Sequence, residues 1–293
     1  MAMTELQVNK KIRFLHIPKT AGSSFDECLF IQHLRPSILR RRFTFTGNFN
    51  IDRQRYQQID PATRSKIIIC TGHAPLITNI SEIDCLPTIT FLRNPVDRVI
   101  SHCQHVSEGK SIKSSPGFDY KNMDLDQFLS SNRTQLSNFQ SKVLLGTESY
   151  TLPQGSKEEL VTLVLNVLEH KLSCFGITEE FDRSLLLFMC VLGWERPPIY
   201  RYRNKKNVNS LISFEARHID KIRQLNQIDL LVYERARVLF DKRIQERGEE
   251  FESGLVRFKQ KMRGRHAIFT VIDCARYLRK HFPSKKPGRI PLD

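Results

Sequence analysis

The feature that most constrains the fold of this chain is the stretch HIPKTAGSSF at residues 16–25. The apolar run Ile12 to Ile17 leads into it and predicts a buried strand, and the amphipathic segment Phe25 to Leu34 predicts a helix after it. A strand that enters a helix through a turn of Lys, Thr, Gly and Ser residues is typical of a phosphate-binding loop. Backbone N–H groups and the helix dipole point at the anion, hydroxyls donate further hydrogen bonds, and Lys19 supplies charge.

The residue order in this loop differs from that of loops that bind nucleoside triphosphates. In those loops the lysine directly precedes the hydroxyl residue that holds magnesium. Here Lys19 comes early, and the one glycine of the loop, Gly22, follows it. A purely structural strand–loop–helix unit remains the alternative for this segment alone, so a second phosphate site is needed to decide.

A second anion site is predicted where the segment Thr88 to Leu92, a β-branched and aromatic strand, runs into another helix. Asn94 is a good N-cap and Pro95 a good first helical residue, so the helix should begin there. Arg93 then stands at the end of the strand and Ser101 near the end of the second helical turn, where both could reach one phosphate. The alternative is that Arg93 pairs with a carboxylate and Ser101 is merely solvated.

Together these stretches resemble sulfotransferase family 2, which includes heparan-sulfate-type carbohydrate sulfotransferases. The resemblance runs from Lys11 to Phe240 in the family's order, through residues 16–25, 93–101, 137–146, 175–185, 192–194, 207–209 and 226–234. It implies that the protein uses 3′-phosphoadenosine 5′-phosphosulfate (PAPS) as co-substrate, with the first loop at the 5′-phosphosulfate and the second segment at the 3′-phosphate. The residues expected to bind this nucleotide are Pro18, Lys19, Thr20, Ala21, Gly22, Ser23, Ser24, Arg93 and Ser101.

Sulfuryl transfer requires a cation at the leaving oxygen and a base for the acceptor hydroxyl. We expect Lys19 to stabilise the leaving group. We expect His73 to be the base, because a neutral imidazole has a suitable pKa and because glycosaminoglycan 2-O-sulfotransferases carry a catalytic histidine in a similar Gly-His setting. The alternative is that His73 only caps a loop or contacts the nucleotide. No metal site is expected, since His102 and His105 share a helix face without a third ligand in view.

The charge balance points to an anionic partner. The chain of 293 residues carries 46 basic and 31 acidic residues, a formal net charge of +15. Nucleic acid is not the expected partner, because zinc-finger spacing, an RNA-binding aromatic signature and a basic heptad array are all missing from the sequence. An anionic or hydroxyl-bearing glycan acceptor would use the same field. We expect one sulfotransferase domain at residues 1–250 and a basic C-terminal helix and tail at residues 251–293.

Two other functions stay open. One is a P-loop-type nucleotide kinase or NTPase, which the sequence disfavours because the predicted second strand ends Ile69-Cys70-Thr71 without an aspartate to hold magnesium. The other is a non-catalytic polyanion-binding protein that owes its affinity to net charge. Such a protein would bind any polyanion in a salt-dependent way and would be indifferent to PAPS.

The cysteines and the N-terminus suggest a compartment. The seven cysteines form no C-x-x-C pair, and their odd count and scattered spacing favour reduced thiols. Residues 1–11 lack the apolar core of a signal peptide, and no stretch has the length of a membrane span. We expect a cytoplasmic enzyme of bacterial type, although a Golgi-lumen relative that has lost its anchor would look the same. Contact of residues 267–277 with a membrane surface stays open, as does the oligomeric state.

The fold class predicted is α/β: a P-loop-like three-layer fold with a central, mostly parallel sheet flanked by helices, and a helical C-terminal half. Residues 35–62 and 108–122 are polar and punctuated by Gly, Pro, Ser or Asn, which predicts loops. Strands are predicted at residues 12–17, 66–70, 88–92 and 172–176. Helices are predicted at residues 23–35, 95–107, 125–131, 137–145, 156–170, 179–192, 213–226 and 227–246.

Overall fold

The computed structural model of the protein describes residues 11–32, 41–109, 123–146, 150–194, 198–200 and 212–263. Its centre is a five-stranded sheet in the order β2-β3-β1-β4-β5, in which every neighbouring pair is parallel. The strands are β1 (Ile12–Leu15), β2 (Arg42–Thr46), β3 (Ile69–His73), β4 (Thr88–Leu92) and β5 (Cys174–Ile177). The α/β prediction is therefore confirmed.

Helices cover the sheet, whose strands bury polar as well as apolar side chains, among them Arg13 of β1 and Thr88 and Thr90 of β4. Every residue of β1, β4 and β5 is buried, as expected for a parallel sheet packed on both faces. The helices are α1 (Gly22–Gln32), α2 (Phe49–Gln57), α3 (Pro61–Ser65), α4 (Ser81–Asp84), α5 (Pro95–Ser107), α6 (Leu125–Leu129), α7 (Phe139–Leu145), α8 (Lys157–Asn166), α9 (Phe181–Leu192), α10 (Ala216–Leu225), α11 (Gln227–Gln245) and α12 (Gly248–Arg263). A π-helical turn, Val167–Lys171, extends α8.

The loop predicted at residues 35–62 was wrong over its described part, which forms β2, α2 and the start of α3. In β2, Phe43 and Phe45 are buried while Thr44 and Thr46 are exposed. This alternation is typical of an edge strand with one face exposed to solvent. It lasts only five residues, and the arginines and the glycine around it made the segment look like a loop. The two phenylalanine rings pack edge to face, 5.1 Å apart.

The predicted second strand needs a smaller correction. It was expected at residues 66–70, but β3 runs Ile69–His73. The apolar residues Ile67 and Ile68 are buried before the strand begins, so burial alone did not mark its start. As a consequence His73 is the last residue of the strand itself rather than part of a loop beyond it.

The helix predicted after residues 88–92 is confirmed, and it begins at the predicted residue with the predicted cap. Helix α5 runs Pro95–Ser107, and the Asn94 side chain accepts hydrogen bonds from the N–H groups of Val96 and Asp97. The predicted loop at residues 108–122, the motif at residues 207–209 and the tail beyond residue 265 lie almost entirely outside the described residues. None of the described helices combines the length and the apolar character needed to cross a bilayer.

Candidate active site

Strand order brings the predicted site residues together. Strand β1 lies between β3 and β4, so the segments that follow these three strands meet at one edge of the sheet. This is the position in which open parallel α/β sheets bind ligands. A cavity of about 480 Å³ opens there. The predicted residues that line it are Pro18, Lys19, Ala21, Gly22, Ser23, His73, Arg93 and Ser101.

The loop between β1 and α1 has the backbone shape of an anion cradle. The φ angles of Lys19 and Ala21 are 71° and 63°, whereas Thr20 and Gly22 are not among the residues with positive φ. Such alternation turns successive N–H groups toward one point and forms a nest. The N–H groups of Gly22 and Ser23 belong to the first helical turn, which has no intrahelical acceptors for them. Two non-glycine residues in the left-handed region represent strain that is typical of functional sites.

The loop side chains divide into two sets. The Thr20 hydroxyl donates to the Ile17 carbonyl at 2.8 Å, and Thr20 is fully buried. Thr20 thus stiffens the loop, and only its backbone could serve a ligand, which corrects the expectation that its hydroxyl is a donor. Ser24 is also buried and does not line the cavity. Ser23 is exposed at the cavity wall and offers a hydroxyl there.

Arg93 is held in place by its backbone and joined to the first loop by its side chain. The Gln140 amide clamps both backbone groups of Arg93, accepting from its N–H at 2.9 Å and donating to its carbonyl at 2.8 Å. The guanidinium donates to the Lys19 carbonyl at 3.0 Å. Within the described part of the chain no carboxylate forms an ion pair with Arg93. Ser101 lines the same cavity from α5.

His73 is fixed in one tautomer. Its Nδ1 lies 3.0 Å from the His16 carbonyl oxygen, and because a carbonyl only accepts, Nδ1 carries the proton. In the neutral form of the ring, Nε2 is then the nitrogen with the lone pair that a general base needs. The His16 ring lies 4.5 Å from the His73 ring. Burial, followed by the nearby His73, Arg42 and Lys19, lowers the pKa of His16 to about 3, so His16 is neutral near pH 7.

The roles of Asn138 and Gln140 were left open by the sequence, and their contacts are structural. The Asn138 side chain accepts from the N–H groups of Ile228 and Asp229, at 3.0 and 3.2 Å, at the start of α11. In return the buried Asp229 carboxylate accepts from the N–H groups of Gln140 and Ser141, at 3.0 and 2.9 Å, in α7. Each helix start thus caps the other, and Gln140 transmits the resulting position to Arg93.

Several cavity residues were missed or set aside by the sequence analysis. They are Thr46, Gly47, His102, His105, Gln135 and Tyr150. Thr46 and Gly47 were missed because β2 was taken for a loop. His102 is buried in α5, and burial, then Arg98 and Lys19, lowers its pKa to about 3. Among the described residues no group of three or more His, Cys, Asp or Glu side chains could hold a metal ion.

Fold and cavity define an α/β protein in which a loop with the backbone shape of an anion cradle, the Arg93 guanidinium and the His73 imidazole line one cavity at the sheet edge. No family model matches the chain. In an alignment of length 180 that covers 53% of this chain and 38% of the relative, it is 27% identical to human heparan-sulfate 6-O-sulfotransferase 3. In an alignment of length 229 that covers 70% of this chain and 54% of the relative, it is 23% identical to human heparan-sulfate 6-O-sulfotransferase 1. The chain thus matches about two fifths to one half of the length of these curated relatives, and the similarity supports a transferase of the sulfotransferase type.

Proposed function

We propose that this protein is a sulfotransferase of family 2 that transfers a sulfuryl group from PAPS to a hydroxyl of a glycan. The observation that supports the proposal is the convergence of the cradle-shaped loop, the Arg93 guanidinium and one oriented imidazole in a single cavity. PAPS is anionic at both its 5′-phosphosulfate and its 3′-phosphate, so it requires two separate sites. The similarity to heparan-sulfate 6-O-sulfotransferases supports a glycan as acceptor.

The proposed chemistry assigns one task to each group. The acceptor oxygen attacks sulfur, an O–S bond forms, and the S–O bond to the 5′-phosphate breaks. The acceptor proton moves to Nε2 of His73, the ring nitrogen that the His16 carbonyl leaves unprotonated. Negative charge grows on the leaving phosphate oxygen, where the Lys19 ammonium and the N–H groups of Gly22 and Ser23 stabilise it. Arg93 and Ser101 hold the 3′-phosphate.

The donor is tested by calorimetric titration with 3′-phosphoadenosine 5′-phosphate in the absence of metal, beside ATP with magnesium. We expect the bisphosphate to bind and ATP with magnesium to bind much more weakly. Binding of ATP with magnesium alone would overturn the proposal and favour a kinase. Binding of neither, with salt-dependent binding of any polyanion, would favour the non-catalytic alternative.

Variants test the assignments. Arg93→Ala should weaken binding of the bisphosphate by about 1.5–3 kcal/mol, the worth of a hydrogen bond to a charged group. His73→Ala should leave that affinity unchanged and remove most sulfate transfer from PAPS to a desulfated heparan-type glycan. Lys19→Ala should also remove most transfer, whereas Lys66→Ala, at an exposed position outside the cavity, should not. A fully active His73→Ala protein would exclude His73 as the base.

A further inference from the structure

A second pocket lies outside the reaction cavity and has an unusual charge balance. It has a volume of about 450 Å³ and is lined by three cationic side chains from three different segments: Arg133 after α6, Lys142 of α7 and Lys221 of α10. We name it the cationic pocket. No acidic residue is among the described residues that line it, while the Ser137 hydroxyl, which accepts from Lys142, keeps its own proton to donate.

Lys142 shows how one of these cations is held in the pocket. It is half-buried, and its ammonium donates to the Ser137 hydroxyl at 2.8 Å. A hydroxyl satisfies one donor but contributes no counter-charge. Burial lowers the pKa of Lys142, the nearby Arg98 lowers it further, and Asp229 acts in the opposite direction. An anion in the pocket would therefore stabilise the charged form of the Lys142 ammonium, which burial disfavours.

Two carboxylates from the segments around the pocket, Asp126 and Asp220, are engaged with other partners. Asp126 pairs with Arg217 at 2.7 Å and with His218 at 3.3 Å. Asp220, next to Lys221, pairs with Arg223 at 3.1 Å. The three cations of the pocket thus face one cavity without a carboxylate in its wall, a pattern that attracts anions.

The pocket and the reaction cavity lie on opposite sides of one segment. Gln135 lines the reaction cavity, and the next residue, Leu136, lines the cationic pocket. Within α7, Phe139 and Val143 face the reaction cavity while Lys142 faces the pocket. A single nucleotide cannot serve as the ligand of both, so whatever binds in the pocket is either a separate small anion or a distant part of a long polyanion.

We propose that the cationic pocket is an oxyanion site that holds a sulfate or carboxylate group of an anionic polysaccharide, away from the sugar that reacts. This inference rests on the proposed function for the identity of the polymer. The oxyanion chemistry itself rests on Arg133, Lys142 and Lys221 alone. The same chemistry would fit inorganic sulfate, which is the other source to be tested.

The test compares the double variant Arg133→Gln, Lys142→Gln with the double variant Lys157→Gln, Lys242→Gln. Both lower the net charge by two, and the control changes exposed lysines outside the pocket. Each protein is titrated with a heparin oligosaccharide, with inorganic sulfate and with 3′-phosphoadenosine 5′-phosphate. We expect the pocket variant to bind the oligosaccharide about tenfold or more weakly than the control, with unchanged bisphosphate affinity.

Equal weakening by both double variants would overturn the proposal, because diffuse charge would then explain the binding. Loss confined to inorganic sulfate would overturn the polysaccharide assignment. Thermal unfolding checks that the pocket variant is folded, and Lys221→Gln, a change at an exposed residue, provides a second variant that should also weaken oligosaccharide binding. Failure of the unmodified protein to bind the bisphosphate would refute the proposed function. The comparison of oligosaccharide binding between the two double variants would still decide whether the pocket binds an oxyanion.

Discussion

A substitution at Gly22 tests how closely the loop between β1 and α1, here called the anion loop, packs against the rings of His16 and His73. A Cβ atom added to Gly22 would lie 1.8 Å from Nε2 and 1.9 Å from Cδ2 of His16, far inside van der Waals contact. The His16 ring stacks on Phe14 at 5.4 Å and lies 4.5 Å from the His73 ring. It therefore cannot move aside without disturbing the proposed base.

The magnitude follows from two opposing effects. Gly22 has no positive φ, so alanine fits its backbone, and replacing a helical glycine by alanine normally stabilises by about 0.5–1 kcal/mol. Overpacking a filled site costs about 1–3 kcal/mol. We expect Gly22→Ala to lower the free energy of unfolding by about 0.5–2 kcal/mol, the difference of these two terms. In a His16→Ala background the clash is absent, and the same change should be neutral or slightly stabilising.

Urea denaturation of the four proteins of this double-mutant cycle measures the coupling between the two sites, expected at about 1–3 kcal/mol. Gly254→Ala in α12 is the matched control, because its added Cβ would lie 3.6 Å from its nearest neighbour, a Leu186 methyl group. It should be neutral or stabilising with or without His16. If Gly22→Ala costs the same in both backgrounds, contact with the His16 ring is not the cause and the reasoning is refuted.

Three further predictions concern the supports of the site. Gln140→Leu leaves the Arg93 N–H and carbonyl without partners and should cost about 2 kcal/mol or more of unfolding free energy in urea, whereas Gln54→Leu at an exposed position should stay within about 0.5 kcal/mol. Asn138→Ala removes the cap of α11 and should lower thermal stability by about 1 kcal/mol. The folded-state pKa of His102 is lowered to about 3. Between this value and the unfolded value near 6.5 the unfolded chain binds a proton that the native state does not bind, so the free energy of unfolding decreases as the pH is lowered. Between pH 5.5 and 4 this slope should be shallower in His102→Leu by about 1.4 kcal/mol per pH unit, and an unchanged slope would refute the assignment.

The strongest local patterns predicted their structure accurately. The run at residues 12–17 is mainly apolar, the segment at residues 88–92 is β-branched or apolar, and residues 12–15 and 88–92 form central strands. The Asn94-Pro95 pair set the start of α5 to the residue, because a capping side chain and a fixed φ act within one helical turn. Four site residues were predicted from three separate segments of the sequence, and the structure brings all four to one cavity: Lys19, His73, Arg93 and Ser101.

What the sequence could not supply depends on partners far apart in the chain. Strand β2 is recognisable only once β3 lies beside it, and with it Thr46 and Gly47 at the cavity. The mutual capping of α7 and α11 joins residues 88 to 91 positions apart, and no local pattern marks such a pair. Gly22 was predicted for its backbone, but its fit against His16 follows from the packing of a loop on a strand end.

The hydrogen bond that orients His73 suits the proposed role of the cavity, which is to bind an anionic nucleotide. Many catalytic imidazoles are oriented by a carboxylate, but none of the described residues that line this cavity is acidic. A carboxylate there would repel a phosphosulfate and weaken the field of Lys19 and Arg93. The His16 carbonyl fixes the same tautomer without adding a charge. Since the His16 ring also packs on Gly22, one residue couples the orientation of the proposed base to the shape of the anion loop.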